Sequence, residues 1–153
     1  MPALKAALLS RLQADATIGN NGTLGSIQIT WGDPVAPGPD RNWVALGDVK
    51  DNQVAAALGA QRREETYTMD VLISVLRPVR ESQQNTTTFA YQIAAAIESS
   101  IRAWGNRGTA DPFSTSTTGV RTVQVEGLDL SEPLDDQARE ARIVMRVGVS
   151  ARI

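Results

Sequence analysis

Two stretches of the chain alternate hydrophobic and polar residues, and two others repeat them at the helical period. From Arg139 to Ile153, residues Ala141, Ile143, Met145, Val147, Val149, Ala151 and Ile153 share one face, and Arg142, Arg146, Ser150 and Arg152 share the other. From Glu64 to Arg77, residues Tyr67, Met69, Val71, Ile73 and Val75 take one face and Thr66, Thr68, Asp70 and Ser74 the other. Period-two alternation of this kind predicts half-buried strands. At about 3.3 Å per residue the 64–77 strand reaches roughly 40 Å, well past the usual five or six residues, so it is expected to bend or to extend beyond its own core. Pro78 removes a ladder donor and ends it.

The helical period appears first at the N-terminus. Pro2 suits a first helical turn, where a missing N–H costs nothing. Leu4, Leu8 and Leu12 then form one stripe, widened by Ala7 and Leu9, with Lys5, Arg11 and Gln13 largely on the other side. The helix is expected to end between Asp15 and Ile18, before the stop signal Gly19-Asn20-Asn21-Gly22. The main helix runs from Glu81 or Asn85 to Trp104. Its buried stripe is Phe89, Ile93, Ala96, Ile97, Ser100, Ile101 and Trp104, and Gly105 is placed to be the C′ residue. Shorter β-rich runs predict strands at Ser26–Trp31, Asn42–Val49 and Val120–Glu126, the last broken by Gly127. Loops are expected at 32–41, where Pro37-Gly38-Pro39 stands, at the Gly-, Thr- and Ser-rich 106–119, and at the acidic turn 131–137. Residues 50–63 read either as a helical turn or as the apolar tip of a long hairpin, a choice periodicity does not make over so few residues.

The resulting order is α-β-β-β-α-β-β. Consecutive strands with helices free to cover one face predict an α+β fold: a mainly antiparallel sheet of about five strands packed with two main helices. At 153 residues, with no internal repeat or linker, one domain spanning 1–153 is expected.

Composition narrows the function classes. There is no Cys and no His, so disulfides, thiol nucleophiles, imidazole bases and Cys/His zinc sites are all excluded. A formal charge of −2 argues against a basic nucleic-acid footprint. No apolar run approaches the roughly 20 residues of a membrane span, and the N-terminus reads as an amphipathic helix, not a signal peptide. No membrane partner and no cofactor are expected.

Candidate chemistry is sparse. Gly19-x-x-Gly22-x-x-Gly25 superficially resembles a phosphate loop but lacks the Lys-Ser/Thr pair and follows a helix; it reads as a turn that exploits the left-handed backbone open to glycine. Glu64-Glu65, Asp48 with Asp51, and Asp135-Asp136 are the acid pairs available for acid/base or metal work. Neighbours in a strand point to opposite faces, so Glu64 and Glu65 do not converge, and Asp135-Asp136 stands in a Pro-containing turn. Arg142, Arg146 and Arg152 make a basic strip, read either as a solvated face or as a surface that meets acids of a neighbouring subunit. Val54 to Leu58 is an apolar run flanked by Lys50, Asp51, Arg62 and Arg63; it packs on its own sheet or docks on a neighbour. The candidate subunit-interface residues are therefore Val54, Leu58, Arg62, Arg63, Arg142 and Arg146.

Several local phrases stand in a recognisable order. The N-terminal helix Leu4–Asp15 leads to a strand and Trp31-Gly32-Asp33-Pro34. Arg63-Glu64-Glu65-Thr66-Tyr67-Thr68-Met69-Asp70-Val71 follows, continuing to Arg77-Pro78, then a helix with Ala94-Ala95-Ala96-Ile97-Glu98, then Val125-Glu126-Gly127, and finally the strand Arg142 to Ile153. This order resembles the tail terminator (tail completion) proteins of long-tailed bacteriophages, particularly those of actinobacterial hosts. The resemblance implies a small α/β virion subunit made in the bacterial host cytoplasm and located at the tail–neck junction. It implies a homohexameric ring that caps the tail tube protein, meets a head-side connector or stopper protein, and lets DNA pass transiently and non-specifically through its channel. It carries no active site. Another neck protein (head-completion or stopper) is the nearest alternative, and a small carboxylate-based enzyme a more distant one. A heterologous interface whose rotation closes makes a ring, and the Lys50–Arg63 arm with an edge of the sheet is the expected contact.

Overall fold

The computed structural model describes residues 2–19, 21–32, 42–52, 64–105, 120–133 and 136–152. They form α1 (Pro2–Gln13), β1 (Gln28–Thr30), β2 (Asn42–Asn52), β3 (Glu64–Pro78), α2 (Gln83–Gly105), β4 (Val120–Ser131) and β5 (Ala138–Arg152). This is the α-β-β-β-α-β-β order of an α+β protein. The five strands make one sheet in the order β1-β2-β3-β5-β4. Three of the four pairings are antiparallel; β1 runs parallel to β2, so the sheet is mixed.

The two strictly alternating strands form the centre. β3 and β5 pair without interruption from Glu64↔Arg152 to Pro78↔Ala138. Directly opposed residues share a face, so Met69, Val71, Ile73 and Val75 meet Val147, Met145, Ile143 and Ala141 on one side, all buried. That side is covered by α2, which packs on β3, β5 and β4, and by α1, which packs on β1 and α2. Leu4, Leu8 and Leu12 of α1 and Ala90, Ile93, Ala94, Ile97 and Ile101 of α2 complete the core. The other side of the sheet carries no helix among the described residues.

Helix ends and ties follow local chemistry. Ser82 caps α2: its hydroxyl accepts the Asn85 N–H at 3.1 Å. The Gln83 side chain donates to the Glu140 carbonyl at 2.9 Å, fixing that end of α2 to β5. After α1, the Asp15 carboxylate accepts the Thr17 N–H at 2.8 Å and the Ile18 N–H at 3.3 Å, and Ile18 is buried beneath the turn.

The structure corrects three of the expectations. Gly127 does not break its strand. β4 continues to Ser131 through a register shift between Val125 and Gly127, a bulge that turns Leu128 and Leu130 to the helix side, opposite Met145 and Ile143. Gly105 lies inside α2 and not beyond it. Of Gly19, Gly22 and Gly25, Gly25 alone has a positive φ, of 88°. Gly19 and Gly22 are required by close approach: a Cβ would overlap the Asp15 and Gln13 carbonyl oxygens in one case and the Thr17 carbonyl oxygen in the other. Apart from these, the polar flank of α1 is tied to the rest of the fold: Lys5 is buried with its ammonium 4.6 Å from the Trp31 ring centroid, Arg11 donates to the Ser100 carbonyl, and Gln13 donates to the Ile29 carbonyl.

Candidate functional site

The helix-free face of the sheet carries rows of charged and polar side chains. Directly opposed pairs place Asp70 beside Arg146 and Ser74 beside Arg142. Asp70 lies between two cations from different strands: Lys50 Nζ at 3.9 Å on β2 and Arg146 Nε at 3.7 Å on β5. Arg142 Nε stands 2.5 Å from Glu140 Oε1, two residues earlier on the same face of β5, and the Ser74 hydroxyl also donates to that oxygen at 3.3 Å. Both arginines named by the sequence are therefore on this open face, each already facing an acid of its own chain. Both side chains remain more than half exposed. Such pairs contribute little to stability, since water and salt screen them. What they fix is position: two guanidinium groups held on one face, with N–H donors left for a further partner.

Val54, Leu58, Arg62 and Arg63 lie outside the described residues, as do the side chains of Glu64, Asp51 and Arg152 and the whole of Asp135. β2 and β3 remain paired out to Asn52↔Thr66, so residues 53–63 follow directly from the end of a two-stranded ladder.

The acid pairs resolve differently. Glu65 is buried on the helix side, where its carboxylate accepts the Tyr67 hydroxyl from the same face of β3. Asp48 sits in the β2 register shift between Leu46 and Val49. It borders a depression shared with Lys5, Trp31, Lys50, Asp70 and Leu72. Asp70 is the acid of that depression engaged by Lys50 and Arg146. Among the described residues, no group of three acids is placed to hold a metal ion. No described helix is long and apolar enough to cross a membrane. A second groove separates α1 from α2, lined by Arg11, Asp15, Thr17, Gln92, Ser99 and Ser100.

No family model and no curated protein sequence matches the chain. Its structure is similar to that of a chain from the virion of a native gene transfer agent particle. The TM-score is 0.60 at 19% identity, over 98% of this chain and 96% of that one. The likeness is one of fold, and it spans both molecules almost end to end.

One surface escaped the sequence reading. Leu128 and Leu130 on β4 are 42% and 39% exposed, and Tyr91 on α2 is 45% exposed. The Thr87 hydroxyl bonds to the Glu132 carboxylate, which joins the first turns of α2 to the end of β4. Tyr91 stands one turn further along that flank of α2. Leu130 stands two residues back along β4. From their shared contact, each lies about 6 Å away. The three side chains thus line the margin between α2 and the outermost strand. The signal available in the sequence was Gly127, whose bulge decides which way both leucines face.

Proposed function

We propose that this chain is a structural subunit of a phage-like virion, working without catalysis, and that its place is the tail terminus. In this reading copies of the chain close into a six-fold ring on the end of the finished tail tube. The ring presents its other surface to the head-side connector or stopper protein, and DNA passes through the channel. The observation that carries the virion role is the end-to-end likeness of fold to a chain of a gene transfer agent virion.

The finer assignment draws on the order of local phrases from Trp31-Gly32-Asp33-Pro34 to the last strand, which resembles tail terminators. A sheet-dominated fold with two helices supports it over the mainly helical head-side adaptors. The charge of −2 agrees with a lumen that lets DNA through, because strong phosphate binding would arrest it. The unlike edges of the sheet suit a head-to-tail ring: one is the three-residue β1, the other the twelve-residue β4. Arg142, Arg146 and the Lys50–Arg63 arm are the proposed contributors to the subunit contact.

The test is the mass of the purified protein in solution, followed by negative-stain imaging with and without tail tubes. Six-fold rings, or density capping one end of the tube, support the reading. A monomer that binds only tube ends moves ring closure to the docking step. Rings that bind the head-side connector and ignore tube ends favour a stopper. A monomer indifferent to tubes overturns the proposal.

A further inference from the structure

We infer that the outer edge of β4 is a docking surface for a second copy of this chain, and that what occupies it is residues 53–63 of that copy. The inference rests on the ring reading above and names the contact that closes it.

The surface has three properties. β4 pairs with β5 on one side and with no described strand on the other, so its outward N–H and C=O groups are a template for an added strand. Along that edge Tyr91, Leu128 and Leu130 form an apolar margin, three of the five large hydrophobic side chains that are exposed among the described residues. The edge is also acidic. From Thr122 to Glu132 the sequence has Glu126, Asp129 and Glu132 and no Lys or Arg. Long, apolar, unblocked edges are a hazard unless something covers them.

Residues 53–63 are the complement. They contain Val54, three alanines in succession and Leu58, then Arg62 and Arg63, with no acid among them. Apolar side chains match the leucine margin, and the two guanidinium groups match the carboxylates. Outside the described helices and strands, no other stretch of the chain combines an apolar run with clustered cations free of acids.

The segment cannot reach the Leu128–Leu130 end of that edge within one chain. The segment leaves the sheet at Asn52 and re-enters at Glu64, opposite Arg152 and next to Ala151, which pairs with Val120 at the start of β4. Leu130 aligns through Ile143 with Ile73, nine residues further along β3. That is about 30 Å along the strands, before two strand spacings are added. Eleven residues anchored at both ends reach at most about 20 Å out and back. The occupant therefore comes from another copy. Because the two surfaces differ, the contact is heterologous and repeats around a ring.

The chain has no cysteine, which makes a clean test possible. A chain carrying both Leu58→Cys and Leu130→Cys is oxidised and run without reductant. The expected result is a ladder of covalent multimers ending at the ring's copy number, absent from either single variant. Asp129→Lys with Glu132→Lys is expected to lower ring yield at least tenfold, and adding Arg62→Glu with Arg63→Glu to restore it. Rings of normal mass without the ladder place the contact elsewhere and overturn this inference while sparing the ring. Covalent dimers of Leu130→Cys alone show two β4 edges meeting and overturn it too, as does an internally linked monomer. A monomer under every condition removes the ring reading itself. Circular dichroism of each variant separates lost docking from lost fold.

Discussion

Glu126 lies across Gly148. The two residues belong to neighbouring strands, and a Cβ on Gly148 would overlap the Glu126 carboxylate. Gly148 is buried although it has no side chain of its own. The obstacle is the far end of a flexible side chain, so Gly148→Ala should expel Glu126 and leave the strand intact. We expect a loss of under about 1 kcal/mol in denaturant unfolding. Adding Glu126→Ala should abolish that loss. A loss that persists in the double variant would mean that the backbone itself needs glycine there.

Gly19→Ala should behave differently. Its Cβ would overlap two backbone carbonyl oxygens, which have nowhere to go. A cost of about 2–3 kcal/mol is expected, in the range of overpacked sites. Gly127→Ala meets open space at an ordinary φ and should be neutral or stabilise by up to about 1 kcal/mol. Urea unfolding of the three alanine variants gives the ranking directly.

Tyr67→Phe removes the hydroxyl that donates to the buried Glu65 carboxylate. Losing that donor to a buried carboxylate should cost about 1–3 kcal/mol. Tyr67→Phe with Glu65→Gln should recover part of that loss, measured as a double-mutant cycle.

Asp70→Asn breaks both halves of the Lys50–Asp70–Arg146 row. The cations are well exposed, so stability should fall by no more than about 1 kcal/mol, and less in high salt. If Arg146 serves assembly, Arg146→Glu should lower ring yield far more than it lowers the unfolding midpoint. Equal effects on both would make Arg146 a residue of the fold alone.

Val54→Asp with Leu58→Asp should weaken assembly while the unfolding midpoint stays within the spread of surface variants, about 0.5 kcal/mol. Sedimentation at matched concentrations checks it; an unchanged ring counts against the arm.

The long strands were legible because their alternation is local and sustained: Tyr67 to Val75 and Ala141 to Ala151 need no partner to declare a face. The helix stripes through Leu4, Leu8 and Leu12 and through Ile93, Ile97 and Ile101 were legible for the same reason. What failed was decided at a distance. Whether Gly127 ends a strand or bulges within it depends on Met145 and Ile143 across the ladder. Lys5 is buried because Trp31 arrives from another element. The parallel pairing of β1 leaves no mark in three residues. Of the candidate site, the exposed faces of Arg142 and Arg146 were readable, but Glu140 and Asp70 as their partners were not, since ion pairing across strands depends on register. The β4 margin was hidden behind the same Gly127.

The uninterrupted ladder between β3 and β5 also has a consequence in time. Pro78 pairs with Ala138 and Glu64 with Arg152, so the centre of the sheet joins segments separated by 60 to 88 residues. Closing loops that long precedes any reward from the contacts they permit, which slows folding. During synthesis β3 emerges well before β5, with an alternating apolar face and the edge that β5 takes still open, its other edge being paired by β2. Until β5 arrives, that nascent strand is the segment most exposed to capture by another chain. Speed of release, chaperone cover and expression temperature should thus govern the yield of native protein more than its final stability does.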